Sequence, residues 1–180
     1  MVYLMKNALY LLQSPVIMRA KGNNKNMDMH FFMKEALVEA QKAYEQGEIP
    51  VGCVIVYNNA IIARAYNQRE RNRNTLHHAE VLAIDAACKA LGDWRLDQCD
   101  LYVTLEPCLM CTGAILNARI RNVYFGAYDL QAGESELLFR PRYGKLRNPN
   151  IKVYEGIMKE ECQTLLDSFF KSIRKDRENL

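Results

Sequence analysis

The chain has 180 residues, of which 49% are hydrophobic and 25% are charged, and its formal charge is +3 at pH 7. This composition is ordinary for one globular domain and argues against wholesale disorder. Its apolar runs fall far short of the ~20 residues that a membrane-spanning helix needs, so no membrane partner is expected. The six cysteines are too sparse for a secreted disulfide scaffold, which favours a reducing, cytoplasmic location.

The first 26 residues differ from the rest of the chain. Residues 1–18 are apolar but are interrupted by Pro15, and residues 19–26 are polar. No small-residue cleavage site follows a clean apolar core, which argues against a secretory signal. We therefore expect a disordered or non-native extension at 1–26, followed by one domain at 27–180.

Hydrophobic periodicity and turn residues predict nine helices and strands after the extension. In chain order they are a helix from Asp28 to Gly47, strands at 51–57 and 60–65 joined by an Asn58-Asn59 turn, a helix from Thr75 or His77 to Leu91, a strand at 101–105, a helix with Pro107 in its first turn that ends near Asn117, strands at 123–126 and 152–154, and a helix at 158–175. The last helix is expected to turn its apolar side chains inward, namely Leu165, Leu166, Phe169, Phe170 and Ile173. This order predicts one α/β domain with helices on both faces of a sheet.

Two cysteines near the start of the third helix are candidates for metal binding. Cys108 and Cys111 are three residues apart, so they share one face of a helical turn. The positive end of the helix dipole favours their thiolate forms, and two converging thiolates suit a borderline-soft cation such as zinc. Taken alone, the pair is equally compatible with a redox function or with coincidence.

One imidazole would complete a three-ligand site. His78 can supply it if its helix lies beside the helix of the cysteine pair. A structural zinc site needs four protein ligands, whereas a three-ligand site leaves a position open for water and is typical of catalysis. The remaining cysteines show no ligand spacing to one another, and they are Cys53, Cys88, Cys99 and Cys162.

The charge of such a site calls for a nearby base that takes a proton from water. Zinc with two thiolates is formally neutral, so it should acidify water less than a zinc ion held by three neutral histidines. Glu80, two residues after His78, is placed to act as the base. Taken alone, Glu80 is explained better as a first-turn glutamate that complements the helix dipole.

The combination His78-Ala-Glu80 with Pro107-Cys-Leu-Met-Cys111 resembles the zinc deaminase signature H-x-E…P-C-x-x-C. Further segments resemble the tRNA-specific adenosine deaminases: Glu48-Ile-Pro-Val-Gly52, Ala65-Tyr-Asn-Gln68, Trp94-Arg-Leu96, Leu101-Tyr-Val-Thr-Leu-Glu-Pro-Cys108, Met110-Cys-Thr-Gly-Ala-Ile115, Phe125-Gly-Ala127 and Cys162-Gln-Thr-Leu-Leu-Asp-Ser-Phe-Phe170. The resemblance extends over residues 29–175. It implies a three-layer α/β/α cytidine-deaminase-like fold, in which helices flank a central mixed sheet of about five strands.

The resemblance also implies a reaction and a set of site residues. The reaction is conversion of adenosine to inosine at the wobble position of tRNA, adenosine-34, with release of ammonia. One Zn²⁺ per subunit would be held by His78, Cys108 and Cys111, and Glu80 would transfer protons. The implied substrate-binding residues are Asn67 on the target nucleotide, Val51 in the base pocket, the Ala79 backbone on the base, and Asp129 near the nucleic-acid strand. The same register leaves His77 with a capping or packing role.

The chain departs from the family pattern after Asp129. Residues 129–138 and 140–150 differ from the family's usual stretches, and no histidine follows His78. Residues 140–180 are nevertheless basic, with ten Lys/Arg against six Asp/Glu. Two clusters are expected to contact RNA phosphates, comprising Arg69, Arg71 and Arg73 and then Arg142, Lys145 and Arg147.

The expected partner is a tRNA anticodon stem-loop. Members of the family that this sequence resembles are typically homodimers, so the resemblance implies a homodimer. Two alternatives remain open. One is a deaminase of a free nucleobase or nucleoside, such as guanine or cytosine, because the metal site does not select the base and the pocket does. The other is a zinc-stabilised RNA-binding module without catalysis.

Overall fold

The structure, a computed structural model, describes residues 25–129, residue 133 and residues 151–178. The helices and strands are α1 (Lys25–Glu45), β1 (Gly52–Tyr57), β2 (Ala60–Tyr66), α2 (Ala79–Leu91), β3 (Cys99–Leu105), α3 (Leu109–Ala118), β4 (Asn122–Ala127), β5 (Lys152–Tyr154) and α4 (Lys159–Glu178). Their order is the predicted one. Residues 1–24 of the predicted extension lie outside the described residues. No described helix is both long and apolar enough to cross a lipid bilayer.

The five strands form one mixed sheet in the order β2-β1-β3-β4-β5. Strand β1 pairs antiparallel with β2 and with β3, whereas β3, β4 and β5 run parallel. The β1–β2 hairpin turns at Asn58 and Asn59, both with positive φ, as two-residue hairpin turns favour. The parallel strands require helical crossovers, which α3 supplies between β3 and β4.

Each face of the sheet is covered by a different pair of helices. Alternate residues of β1 point to opposite faces, so Cys53 and Ile55 join one core cluster while Val54 and Val56 join another. Helices α2 and α3 pack on the first face, and α1 and α4 pack on the second. The predicted three-layer α/β/α architecture is confirmed.

Three predicted helix starts are wrong by a few residues. Helix α1 begins at Lys25 rather than at Asp28. Helix α2 begins at Ala79 with His78 as its N-cap, because the preceding residues form a turn in which Asn74 accepts hydrogen bonds from the Leu76 and His77 N–H groups. Helix α3 begins at Leu109 with Cys108 as its N-cap.

These corrections change the positions of the candidate ligands. Pro107 precedes the N-cap of α3 and does not lie in the first helical turn. His78 and Cys108 consequently occupy the same position, the N-cap, in two helices that share one face of the sheet.

The predicted inward face of the last helix is correct in part. Leu166 and Phe169 are buried, together with Cys162 one turn earlier. Phe170, predicted to point inward, is 42% exposed. The buried positions recur every three or four residues along α4, and Phe170 follows Phe169 directly, so the two lie on different parts of the helix surface.

Gly52 marks a close approach between β1 and α1. A Cβ atom at this position would overlap the Ala36 carbonyl oxygen and the Ala40 nitrogen, which belong to helix backbone and cannot rotate away. We expect Gly52→Ala to lower the free energy of unfolding by about 2–3 kcal/mol, as overpacking does. Chemical denaturation measures the change.

Gly113 provides the matched control for this substitution. It lies inside α3, and nothing stands within 4 Å of the position its Cβ would occupy. Gly113→Ala should therefore raise the free energy of unfolding by roughly 0.5–1 kcal/mol through reduced backbone entropy. A destabilisation of equal size in both variants would contradict the close-packing explanation.

Candidate active site

The structure brings His78, Cys108 and Cys111 together. The His78 Nδ1 atom lies 3.7 Å from the Cys108 Sγ and 3.5 Å from the Cys111 Sγ. All three candidate ligand atoms lie within 4.8 Å of one another. The two cysteines owe their proximity to the first turn of α3, whereas His78 arrives from a helix some 30 residues earlier in the chain.

Packing of α2 beside α3 explains this convergence. Both helices lie on the same face of the sheet, where Ala83 and Ala87 of α2 and Ile115 of α3 contribute to one core cluster. The small alanine side chains allow close packing of α2 against the strands. The N-termini of the two helices therefore meet at one edge of the sheet and present two positive dipole ends to the same point.

The distances between these three groups fit a zinc ion. Zinc–sulfur bonds of about 2.3 Å and a zinc–nitrogen bond of about 2.1 Å at tetrahedral angles would separate the nitrogen from each sulfur by about 3.6 Å. The observed separations are 3.7 Å and 3.5 Å. In residues 25–129 and 151–178, no fourth His, Cys, Asp or Glu joins the group. The described residues therefore leave one tetrahedral position for a water molecule.

The electrostatics of this site favour a thiolate at Cys108. Hydrogen bonds from Cys111 and then from His78 lower the pKa of the Cys108 thiol to about 3. The hydrogen bond to Cys108 and then burial raise the pKa of Cys111. The hydrogen bond with Cys108 raises the pKa of His78 in turn. Cys108 is therefore a thiolate at neutral pH, which is the form that binds metals.

Glu80 lies beside the three candidate ligands in the first turn of α2. Its side chain is buried, and this burial raises the pKa of its carboxyl group, while the nearby His78 lowers it. Glu80 also hydrogen-bonds Cys111. A buried first-turn glutamate is poorly explained by the helix dipole alone, because an exposed carboxylate would benefit from the dipole without desolvation.

Residues Val51, Asn67 and Ala79 lie at the same edge of the sheet. The pairing of Gly52 with Tyr66 places the start of β1 beside the end of β2, and the Asn67 N–H donates to the Val51 carbonyl oxygen at 2.9 Å. Ala79 is the first residue of α2, directly after His78. All three residues are buried.

Asp129 also lies at this edge. Strand β4 runs parallel to β3 and ends at Ala127, so the residue two positions later is close to the end of β3. The Asp129 N–H donates to Glu106 Oε2 at 3.2 Å, and the Asp129 carbonyl oxygen accepts from the Gly133 N–H at 2.9 Å. Gly133 in turn forms an isolated bridge with Cys108.

The basic residues of the first cluster lie on the loop between β2 and α2. Arg69 contacts Glu70, and Arg71 donates to Gln46. His77 belongs to the same loop, and its Nδ1 lies 2.8 Å from Asn72 Nδ2. The second cluster, Arg142, Lys145 and Arg147, lies outside the described residues.

Glu48 is a site residue whose role the sequence did not indicate. Its side chain is only 1% exposed, and it accepts a hydrogen bond from Asn67. It also accepts hydrogen bonds from backbone N–H groups of residues 69–73, the segment between β2 and α2 that we call the arginine loop. Glu48 begins the segment Glu48-Ile-Pro-Val-Gly52, which resembles the family, but that resemblance assigned it no role. Its place directly before an apolar run is a weak signal, because a surface loop would show the same pattern.

Comparison with known proteins identifies the family of this chain. Residues 27–127 match the family model of the cytidine and deoxycytidylate deaminase zinc-binding region. The tRNA-specific adenosine deaminase of Bacillus subtilis (strain 168) is 49% identical over 146 residues, which cover 81% of this chain and 91% of that protein. This chain belongs to the tRNA-specific adenosine deaminase family.

Two solved structures extend this assignment. One, from a study of A-to-I editing by tRNA:A34 deaminases at the wobble position of transfer RNA, is 40% identical with a TM-score of 0.66 and covers 75% of this chain and 98% of its own. The other, a guanine deaminase from Bacillus subtilis, is 44% identical with a TM-score of 0.52. It covers only 54% of this chain and 63% of its own. The tRNA deaminase is therefore similar over a larger part of the fold.

Proposed function

We propose that this protein hydrolyses adenosine to inosine at the wobble position of tRNA and releases ammonia. The observation that carries the proposal is the convergence of one imidazole, two cysteine sulfurs and the buried Glu80 at one edge of the sheet. Membership of the tRNA-specific adenosine deaminases and the similarity to tRNA:A34 deaminases support adenosine-34 as the target.

In this proposal His78, Cys108 and Cys111 hold one Zn²⁺ per subunit. The metal, when bound, acts as a Lewis acid that makes a water molecule more acidic and more nucleophilic. The donor set suits zinc, because it combines borderline and soft ligands at tetrahedral spacing. The two thiolates contribute negative charge, so a separate protein base is needed to remove the proton from water.

Glu80 is proposed to be that base. Its carboxylate takes a proton from the attacking water, and the water oxygen forms a bond to C6 of adenine. Glu80 delivers this proton to the ring nitrogen N1, then takes the remaining proton from the new C6 hydroxyl group and delivers it to the amino group. The C6–N bond breaks as the C6=O bond of inosine forms, and ammonia leaves. One water is consumed for each adenosine, and the carboxylate is regenerated at the end. A raised pKa suits a group that must both accept and donate a proton.

The neighbouring residues are proposed to position the target nucleotide. Asn67 hydrogen-bonds the nucleotide, Val51 lines the base pocket, and the Ala79 backbone contacts the base. Asp129 lies near the nucleic-acid strand. Their common location beside Glu80 at one edge of the sheet supports these roles, because the base must lie within reach of both the carboxylate and the water.

The substrate is proposed to be a tRNA anticodon stem-loop bound by a homodimer in the cytoplasm. Leu76 and Leu109 are 53% and 61% exposed, and they flank the ligands His78 and Cys108. Large exposed apolar side chains beside a site favour contact with another macromolecule. Sedimentation velocity of the purified protein checks the dimer.

A stem-loop assay tests the proposed activity. The purified protein is incubated with an anticodon stem-loop that carries adenosine at the wobble position, and inosine is read by sequencing. We expect inosine at that position alone.

Free adenosine, guanine and cytosine are assayed in parallel, since the partial similarity to a guanine deaminase favours a free-base substrate as the second candidate. Rapid turnover of a free base without inosine in the stem-loop would reverse this ranking. Binding without ammonia release from any substrate would indicate an RNA-binding module.

Phosphate contacts from the two basic clusters predict a strong dependence on salt. Arg69 and Arg73 lie on the loop that joins Asn67 to His78, and Arg142, Lys145 and Arg147 are proposed to add further contacts. The logarithm of kcat/KM should fall linearly with the logarithm of salt concentration, and Arg69→Gln with Arg73→Gln should reduce the slope by roughly one to two units. Lys89→Gln, which alters an exposed ion pair with Asp85, should leave the slope unchanged. Turnover that does not depend on salt would count against an RNA substrate.

A further inference from the structure

Glu48 lies between α1 and β1, and its carboxylate is buried with 1% exposure. Three donors bind this carboxylate. The Asn67 Nδ2 group donates to Oε2 at 3.2 Å, the Glu70 N–H donates to Oε2 at 3.2 Å, and the Arg71 N–H donates to Oε1 at 2.7 Å. A single buried side chain thus connects Asn67 to the backbone of the arginine loop.

A second buried glutamate shows how unusual this environment is. Glu39 is 3% exposed, and its carboxylate forms ion pairs with Lys42 at 2.8 Å and with Arg64 at 3.7 Å. Among the described residues, Glu48 forms no ion pair and is bound only by neutral amides. Burying a charge without a counter-ion is costly, so a residue that served only to fill space would be apolar.

The carboxylate determines which way the Asn67 side chain points. An ionised carboxylate accepts hydrogen bonds and donates none, so Asn67 must turn its Nδ2 group toward Glu48. The carbonyl oxygen of the same amide is then directed to the opposite side of the amide plane. A neutral residue at position 48 would allow either orientation, because an amide nitrogen and an amide oxygen have almost the same shape.

We infer that Glu48 is a positioning residue. It orients the Asn67 amide toward the target nucleotide and fixes the backbone of the arginine loop beside it. The inference rests on the proposed function, in which Asn67 hydrogen-bonds that nucleotide. Glu48 itself does not contact the reacting atoms. Its effect is carried by Asn67.

The first test replaces the carboxylate with an amide of the same shape. Glu48→Gln offers one acceptor oxygen and one NH₂ group to three N–H donors. The Asn67 amide is therefore expected to flip, so that its oxygen and nitrogen exchange places. We expect kcat/KM on the stem-loop to fall about 10- to 100-fold, the effect of one misplaced buried hydrogen bond. Asn67→Ala should reduce kcat/KM at least as much, with the same division between kcat and KM.

A double-mutant cycle separates positioning from general damage. If Glu48 acts through Asn67, adding Glu48→Gln to Asn67→Ala should cause no further loss beyond about twofold. Equal losses from Glu48→Gln in both backgrounds would show that it acts through the loop or through stability, and would overturn the inference.

Exchanging the carboxylate and the amide between positions 48 and 67 provides a test in which the second substitution should raise kcat/KM. Asn67→Asp alone places two carboxylates against each other and should be more damaging than Asn67→Ala or Glu48→Gln. Combining it with Glu48→Gln restores a donor facing an acceptor, so the double variant should exceed Asn67→Asp alone by at least about tenfold in kcat/KM. A purely structural role for Glu48 predicts that the double variant is the worse one, which would overturn the inference.

Glu39→Gln is the matched control. It removes one charge from an equally buried glutamate on α1, so it should lower the melting temperature without changing kcat/KM. Wild-type turnover of the stem-loop, measured first, tests the proposed function by itself. If the stem-loop is turned over and the cycle is additive, only the inference about Glu48 fails. If the stem-loop is not turned over, the proposed function and the inference fail together.

Discussion

Replacing Glu80 with alanine should abolish deamination and leave zinc bound. Glu80 is the only buried acid beside the ligand group in the described part of the chain. Without it, no side chain there removes the proton from water or returns it to the leaving amine. Proton transfer by a positioned side chain is worth roughly 10²- to 10⁴-fold in rate, and the same group is needed in both directions here. Single-turnover measurement of inosine formation provides the rate, and elemental analysis provides the zinc content.

Two further variants make this result specific. Glu80→Gln keeps the volume and hydrogen-bonding shape of the side chain, so it should be inactive and correctly folded. Asp85→Asn alters an exposed acid on the same helix, which pairs with Lys89, and should retain wild-type turnover. Near-normal deamination by Glu80→Ala or Glu80→Gln would refute the assignment of the base. Loss of zinc from Glu80→Gln would instead indicate a structural role at the metal site.

Replacing Cys108 with serine should remove both the metal and the activity. Cys108 is the N-cap of α3, and its sulfur lies 3.7 Å from the His78 ring nitrogen. Serine cannot supply a thiolate, so only two ligands would remain for a soft-to-borderline cation. We expect less than one tenth of the wild-type zinc content in the purified variant and no detectable inosine.

Thermal unfolding reports the same loss without relying on activity. A ligand present at about 100 times its Kd stabilises the folded state by about 2.7 kcal/mol, which corresponds to roughly 5–10 °C in Tm for a chain of this size. A chelator should lower the wild-type Tm by that amount and leave Cys108→Ser unchanged. Cys88→Ser is the control, since Cys88 is a half-buried thiol that donates to the Trp94 carbonyl oxygen away from the ligand group. It should keep both its zinc and its response to the chelator.

Local sequence was sufficient to predict much of the fold. The Asn58-Asn59 turn, the end of α2 at Leu91 and the nine elements in their order all follow from spacing and turn chemistry within a few residues. The predicted starts of α2 and α3 were two to four residues too early. The residues before α2 form a turn, and Pro107 precedes the N-cap of α3, although both segments fit the apolar spacing of a helix. Those short shifts moved His78 and Cys108 to N-cap positions.

The ligand types and the short spacings were also present in the sequence. The Cys108–Cys111 spacing predicts one helical turn, and the structure places both sulfurs near the same point. The Glu80 spacing from His78 places an acid in the first turn of α2. These relations involve residues that are at most three positions apart, so backbone geometry alone determines them.

Only the tertiary structure brought His78 to the cysteines and buried Glu80 and Glu48. The approach of His78 depends on the packing of α2 and α3 on one face of a sheet whose strands are far apart in sequence. Burial of an acid depends on every segment that packs around it, and the three donors to Glu48 lie 19 to 23 residues away along the chain. A residue's chemistry is encoded locally, whereas its neighbours across space and its exposure to water follow from the packing of the whole domain. For this reason the sequence alone could indicate the candidate catalytic residue Glu80 and the candidate metal ligands, but not the burial of Glu48 against Asn67.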